Sequence, residues 1–325
     1  MNSASGLGLP IVMTVANRAI GAPINIWNDH TDSMSQRDCG WIQLFAETNQ
    51  EALDLHIQAF RLAEELSLPV MVCMDGFILT HAYERVDMPS QEQVDAYLPK
   101  FNPRQVLDPA EPVSIGAMVG PEAFTEVRYL AHVKQMQALE LIPEWAAEFR
   151  QAFGRDAGGL VRSYRTEDAQ TIVVALGSVL GTVKDTVDEM RAQGAKIGVL
   201  GISCFRPWPL DAVRAALANA KSVVVLEKSL AVGLGGIVST NVRTSLAEHG
   251  TPVYPVIAGL GGRAITKASV ARVLADAMAG RLQHTTFLDL DRALVERVLL
   301  KEKQTRRSGP LPENVLREKH ALPAR

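Results

Sequence analysis

Four short apolar runs in the second half of the chain constrain its fold most: 171–176, 197–203, 222–227 and 253–258. They are rich in Val and Ile and scarcely interrupted by polar residues, as expected of strands covered on both faces. Between them lie stretches of helical spacing. One covers 181–193 and is closed by Gly194, another covers 210–220, a third follows the glycine loop Gly233-Leu234-Gly235-Gly236, and a fourth covers 267–279 with Thr266 as its cap. Strands alternating with helices predict a parallel sheet with right-handed crossovers. The fold class is therefore α/β.

The first half repeats the pattern incompletely. Residues 9–16 read as a buried strand and 41–47 as a second one. Thr48-Asn49-Gln50-Glu51 has the form of a capping box, opening a helix with Leu53, Ile57, Phe60 and Leu66 near one face. A third strand at 69–74 ends in Asp75-Gly76. Residues 88–121 are rich in Pro and Asp and are expected to cross the surface with little regular structure. Helical spacing returns over 122–153 through Phe124, Val127, Leu130, Val133 and Met136, with Pro143 expected to break the run. This gives a helical connector at 122–167, a second α/β unit at 168–283 and a charged, Pro-punctuated tail at 284–325 expected to drape over a partner.

Composition removes several classes of function. At 325 residues the chain has room for about two domains, and 47% hydrophobic with 21% charged residues is ordinary for a globular protein. A net charge of −3 gives no electrostatic reason to expect nucleic acid. No apolar run reaches the roughly 20 residues of a membrane span. The apolar stretch 7–15 has no basic residue ahead of it, unlike a secretory signal. Cys39, Cys73 and Cys204 are widely spaced and odd in number, so no disulfide framework is expected and a reducing cytoplasm is the expected location. Three cysteines also fall short of the four thiolates that usually hold an iron–sulfur cluster.

Three glycine-rich turns invite a phosphate: Gly177-Ser178-Val179-Leu180-Gly181-Thr182, Gly233–Gly236, and Gly259-Leu260-Gly261-Gly262-Arg263. The first lacks the lysine of a P-loop, and no three-glycine dinucleotide pattern occurs. Tight strand-to-helix packing is the preferred reading of the first two, and a surface loop that of the third. Asp29, His30 and Asp32 lie close enough to suggest a zinc site, but no second His or Cys stands at a supporting spacing. No metal is assigned. Asn28, Asp29, His30 and Asp32 are read as residues that shape the loop. His81 is read as core or surface. Arg18 follows directly on a strand read as buried, where a charge is costly unless paired. Its planar fork suits a carboxylate, either a ligand's or that of Asp29 or Asp32. No Ser–His–Asp arrangement is supported by spacing, and no catalytic residue is assigned in this chain.

The stretches "NRAIGAPINIWNDHTDSMSQRDCGWIQLFAE", "QAFRLAEE", "LPVMVCMDGF", "ALGSVLGTVKDTVDEMRAQGAKIGVLGISCFRPWP", "VVVLEKSLAVGLGG" and "AGLGGRAIT" together resemble the α subunit of pyruvate:ferredoxin oxidoreductase. This is the thiamine-diphosphate-dependent 2-oxoacid:ferredoxin oxidoreductase family. The resemblance implies that 1–121 is an incomplete pyrimidine-binding-type domain and 168–283 a transketolase C-terminal-like domain. It implies that Arg18 contacts the substrate carboxylate. It also implies thiamine diphosphate with Mg at an interface with a β subunit, iron–sulfur clusters on partner subunits, CoA as co-substrate and ferredoxin as electron acceptor. The family's activating glutamate and diphosphate motif have no counterpart here. The expectation is therefore a chain truncated at its N-terminus that is inactive without its partners. The alternatives are a paralogous subunit acting on branched-chain acids or 2-oxoglutarate, and a non-catalytic α/β fragment.

Overall fold

The computed structural model describes residues 1–320. The chain opens with α1 (Asn2–Gly6) and β1 (Val12–Asn17), then α2 (Thr31–Ser35), β2 (Ile42–Phe45), α3 (Asn49–Leu66) and β3 (Val70–Asp75). Strand β1 pairs parallel with β3, and β3 with β2. Thr48 caps α3 by accepting from the Glu51 N–H at 3.1 Å. The reciprocal half of the expected capping box is not made: the Glu51 carboxylate accepts from Glu47 N–H at 2.8 Å. The buried stripe of α3 runs through Ala52, Leu55, Ala59, Leu62 and Leu66, whereas Phe60 is exposed. Small alanines let the helix lie close to the sheet, which the search for large side chains overlooked.

In the middle of the chain one expectation is refined and one fails. Residues 88–121 contain a helix, α4 (Gln91–Tyr97), started by a full capping box of Ser90 and Gln93. Pro143 does not break α5, which runs unbroken over Phe124–Phe153. Pro143 is exposed, and Leu139, whose carbonyl it leaves without a helical donor, is half-buried rather than in the core. Only the second half of α5 is buried, through Ala138, Ile142, Trp145 and Phe149. Phe124, Val127 and Leu130 remain exposed.

The connector then carries a strand, β4 (Val161–Tyr164), which pairs antiparallel with the edge of the second sheet. The remaining elements are β5 (Thr171–Ala175), α6 (Val179–Ala192), β6 (Ile197–Ile202), β7 (Cys204–Arg206), α7 (Leu210–Leu217), β8 (Ser222–Glu227), α8 (Ile237–Ser245), β9 (Val253–Ile257) and α9 (Lys267–Met278). The tail adds β10 (Thr286–Phe287) beside β9, followed by α10 (Arg292–Gln304) and α11 (Leu311–His320). Among the described residues the second sheet has six strands in the order β10-β9-β8-β5-β6-β4.

Strand β7 leaves this sheet and joins the first, antiparallel to β2, to give the order β1-β3-β2-β7. One hydrophobic cluster consequently spans both sheets, with Met34, Trp41, Phe45, Met71 and Phe205 from one side and Ile172, Leu200 and Val225 from the other. Phe205 meets Phe45 edge-on at 6.3 Å between centroids and Trp208 at 5.7 Å. Phe205→Ala is expected to cost about 3–5 kcal/mol, as for other fully buried aromatic truncations. The loss should lower one common thermal transition; calorimetry that resolved two transitions, only one of them shifted, would contradict a shared core.

Candidate active site

The parallel strands β1 and β3 end together, with Asn17 opposite Asp75. In open α/β sheets ligands gather beyond such C-terminal strand ends. The chain leaves β1 into the loop 17–38, and its first residues are tightly fixed. Asn17 is buried and donates to Asp32 at 2.7 Å and to the Ser33 hydroxyl at 2.6 Å. Its carbonyl accepts from the Gly76 N–H at 3.0 Å and from the Asn28 side-chain amide at 3.4 Å. Asp32 also accepts the Arg18 N–H at 3.0 Å and the Ser33 N–H at 2.7 Å. Burial raises the Asp32 carboxyl, and these donors oppose the rise without cancelling it.

Arg18 does not stand where a buried-strand reading put it. Strand β1 is an edge strand, and Arg18 lies just past its end, exposed. Asp32 binds its backbone and Asp29 is engaged elsewhere, so the internal ion pair weighed for Arg18 is not formed. Among the described residues its guanidinium has neither a hydrogen bond nor an ion-pair partner.

Asp75 is the centre of a second, deeper network. It is buried and accepts from His30 Nε2 at 2.6 Å, from the Ser178 N–H at 3.0 Å and from Lys228 Nζ at 3.1 Å. The Ser178 hydroxyl donates to it as well. Lys228 is also buried, and its carbonyl accepts the His30 N–H at 2.8 Å. Burial alone would raise the Asp75 carboxyl, but His30, Lys228 and Ser178 outweigh it and hold the group well below the usual carboxylate range.

Each of the three glycine turns receives a carboxylate from the chain itself. At the first, Gly177 has φ +77°, and a Cβ there would lie 3.0 Å from Asp75 and 3.1 Å from His30. At the second, Glu227 accepts the Val238 and Ser239 N–H groups at the start of α8, at 2.7 and 3.3 Å. At the third, Asp29 accepts the Gly261 N–H at 2.9 Å while holding the Thr31 N–H at 2.9 Å. Asn25 adds a bond to the Gly261 carbonyl at 3.2 Å. Backbone N–H groups at such turns favour anions, and here aspartate and glutamate fill the role. The third turn thus docks loop 17–38, whereas the sequence suggested a plain surface loop.

Asn28, Asp29, His30 and Asp32 lie together in the loop but face different partners. Asp29 turns to Gly261, His30 to Asp75 and Asp32 to Asn17. No group of three potential metal ligands occurs among the described residues. His81 is exposed and stacked on Phe77 at 4.4 Å. A cavity of about 140 Å³ beside Lys228 is lined by Asn28, Ser178 and Arg263. A larger one of about 850 Å³, lined by residues such as Ala146, Arg150 and Arg162, touches none of these residues. Sequence reading missed Asp75, Ser178 and Lys228 as partners. Their signal was a polar residue closing or following an apolar run, common at any strand end.

Two sheets joined in this way, with the loop at the C-terminal strand ends, make this an α/β protein of two docked units. A solved 2-oxoglutarate:ferredoxin oxidoreductase from Magnetococcus marinus, with 2-oxoglutarate, coenzyme A and succinyl-CoA bound, shares this fold. It superposes with a TM-score of 0.57 at 16% identity, over 85% of this chain and 50% of that one. Residues 1–147 match the thiamine-diphosphate-binding model of pyruvate flavodoxin/ferredoxin oxidoreductase, and 169–270 match core domain II of pyruvate:ferredoxin oxidoreductase. Pyruvate synthase subunit PorA of Methanosarcina barkeri is 45% identical over 300 residues, 90% of this chain and 75% of its own. Ketoisovalerate oxidoreductase subunit VorA of Pyrococcus abyssi is 38% identical over 84% of this chain and 70% of its own. The chain belongs to the pyruvate:ferredoxin oxidoreductase family, as a subunit of the α type.

The network around Asp75 fixes a pH signature. A carboxylate held below its unfolded value stabilises the fold fully above about pH 4 and loses that contribution as the pH falls further. Asp75→Asn should cost about 3 kcal/mol near neutral pH, because it leaves Lys228 buried without its counter-charge. The gap in melting temperature between wild type and variant should close below about pH 4. A gap that widened on acidification would show that Asp75 is not the ionised centre.

Proposed function

We propose that this chain presents the carboxylate of a 2-oxoacid to thiamine diphosphate at an interface with a β subunit. The carrying observation is Arg18: an exposed guanidinium with no partner among the described residues, on a backbone fixed by Asp32, beyond the C-terminal ends of the sheet. A planar fork of donors suits a small carboxylate, and holding that end of the acid aims its keto carbon. Asp32 keeps the N–H of Arg18 engaged, so the side chain departs from a set point. Bound thiamine diphosphate supplies the carbanion stabilisation on which decarboxylation depends. Its diphosphate has no cradle at the three glycine turns, which the chain's own carboxylates fill, so we assign that contact, with its Mg, to the β subunit.

Pyruvate is the substrate we favour, since the pyruvate synthase relative is nearer than the ketoisovalerate one, at 45% against 38% identity. Pyruvate, CoA and two oxidised one-electron ferredoxins would give acetyl-CoA, CO₂, two reduced ferredoxins and a proton. Electron transfer would use iron–sulfur clusters on partner subunits. Cys73 and Cys204 are buried, and burial pushes both thiols up, away from the thiolate a cluster needs. A partner surface is supported by exposed apolar side chains that the chain's own core does not use, among them Ile24, Tyr83, Leu107, Met118 and Leu130. No helix among the described residues is long and apolar enough to cross a membrane. We place the complex in the cytoplasm.

The test uses the chain co-expressed with its partner subunits and pyruvate-dependent reduction of a viologen dye. Arg18→Ala removes a charge-assisted contact of about 2–3 kcal/mol and should lower kcat/KM for pyruvate roughly 30- to 150-fold with assembly intact. Wild-type kcat/KM in that variant would remove Arg18 from the substrate. Ketoisovalerate turned over faster than pyruvate would reassign the acid.

A further inference from the structure

We propose that the second α/β unit sets the position of Arg18, with Lys228 and Ser178 as positioning residues that act through Asp75 and His30. This rests on the reading of Arg18 given above.

Two of the anchors that hold the loop from Asn17 to Asp38 lead to the second unit. The first anchor is Asn17, the neighbour of Arg18. It lies opposite Asp75 in the sheet register, and its carbonyl accepts the N–H of Gly76, the residue after Asp75. Asp75 in turn is bound by Ser178 at the start of α6 and by Lys228 just after β8. The second anchor is the stretch Asp29–His30. Asp29 accepts the Gly261 N–H, and the His30 N–H donates to the Lys228 carbonyl. Lys228 therefore serves both anchors, one through its ammonium and one through its carbonyl.

Asp32, two residues past His30, accepts the Arg18 N–H at 3.0 Å and so carries the second anchor to Arg18. Ala19 N–H donates to the Trp27 carbonyl at 3.0 Å, and Ile20, Ile24 and Trp27 are exposed. The path of Arg18 is thus set by Asn17 on one side and by Asp32, next to the Asp29–His30 anchor, on the other. The Asp29–His30 end is held by the buried Asp75 carboxylate, whose partners come from the first unit (His30) and the second (Ser178, Lys228), and the Asn17 end by the backbone beside that carboxylate. A shift of the second unit relative to the first must break an ion pair in a buried place or carry the loop with it. Breaking is costly where water cannot replace the lost partner. The loop therefore follows, and a displacement of about 1 Å at a positioning group is enough to cost on the order of 100-fold in rate.

The experiment is steady-state kinetics on the assembled complex, with the 2-oxoacid, CoA and dye varied in turn. Lys228→Met should raise KM for pyruvate and lower its kcat/KM by about 10- to 100-fold, leaving KM for CoA within about twofold of wild type. In an Arg18→Ala background the same substitution should add less than about twofold, because its effect passes through that side chain. A purely structural role would lower the yield of active complex and leave both KM values alone. Ser178→Ala keeps the backbone donor and removes only the hydroxyl, so it decides the matter if Lys228→Met fails to assemble. It should raise KM for pyruvate by roughly 2- to 10-fold, the worth of one hydrogen bond, with KM for CoA unchanged. The proposal is overturned if Arg18→Ala impairs pyruvate use while Lys228→Met, or Ser178→Ala in its place, leaves KM for pyruvate unaltered. It is equally overturned if the Lys228 and Arg18 effects multiply in the double variant. If Arg18→Ala itself has no effect, the role given to Arg18 fails first, and that outcome is separate from the other two.

Discussion

A carboxylate buried as deeply as Asp75 is affordable to a fold only when donors surround it, because removing the charge from water costs several kcal/mol. Here the donors come from distant parts of the chain: His30 from the loop after β1, Ser178 from the turn before α6, Lys228 from the end of β8. None of the three alone would offset the burial. The charge is therefore satisfied only when the two sheets are docked with loop 17–38 between them. That condition places β1, the loop and the second unit in one arrangement, with the exposed side chain of Arg18 as its product.

The same chemistry recurs at all three glycine turns. Backbone N–H groups at a strand-to-helix turn form a place for an anion, and a bound phosphate is the familiar occupant. In this chain Asp75, Glu227 and Asp29 take that place. Two of the three come from the first unit and enter turns of the second, so a feature that elsewhere recognises a ligand here recognises another part of the same protein. Burial raises Glu227 while the N–H groups at the start of α8 oppose the rise, and Asp75 is driven the other way by His30, Lys228 and Ser178. The difference is the presence of Lys228 and His30, not the depth of burial.

The hydrophobic contacts complete the coupling. Strand β7 continues from the second sheet and pairs with β2 of the first, carrying Phe205 into the cluster shared by both. The polar hub and the apolar core thus join the same two bodies at different points. This division of labour is physically sensible: the core supplies area, which is indifferent to small shifts, and the hub supplies directional bonds, which are not.

The chain's sequence determined the α/β class, the alternation of the second unit and the caps of α3 and α9. These are properties of local period and composition, which a linear string carries. Arg18 was legible as an unusual charge after a strand, and the resemblance of its surrounding motif to 2-oxoacid oxidoreductases implied the substrate role proposed for it. Strand β4 was not legible, because an edge strand reading Val-Arg-Ser-Tyr lacks the apolar run of a central one. The helix through Pro143 was not legible either, because whether a proline ends a helix depends on what surrounds the carbonyl it frees. The partners of Asp75 lie 45, 103 and 153 positions away along the chain. Nothing in a sequence read alone specifies such pairings, since each residue type is ordinary where it stands. Tertiary structure decided them, because the burial that makes these charges need one another exists only once the two sheets have met.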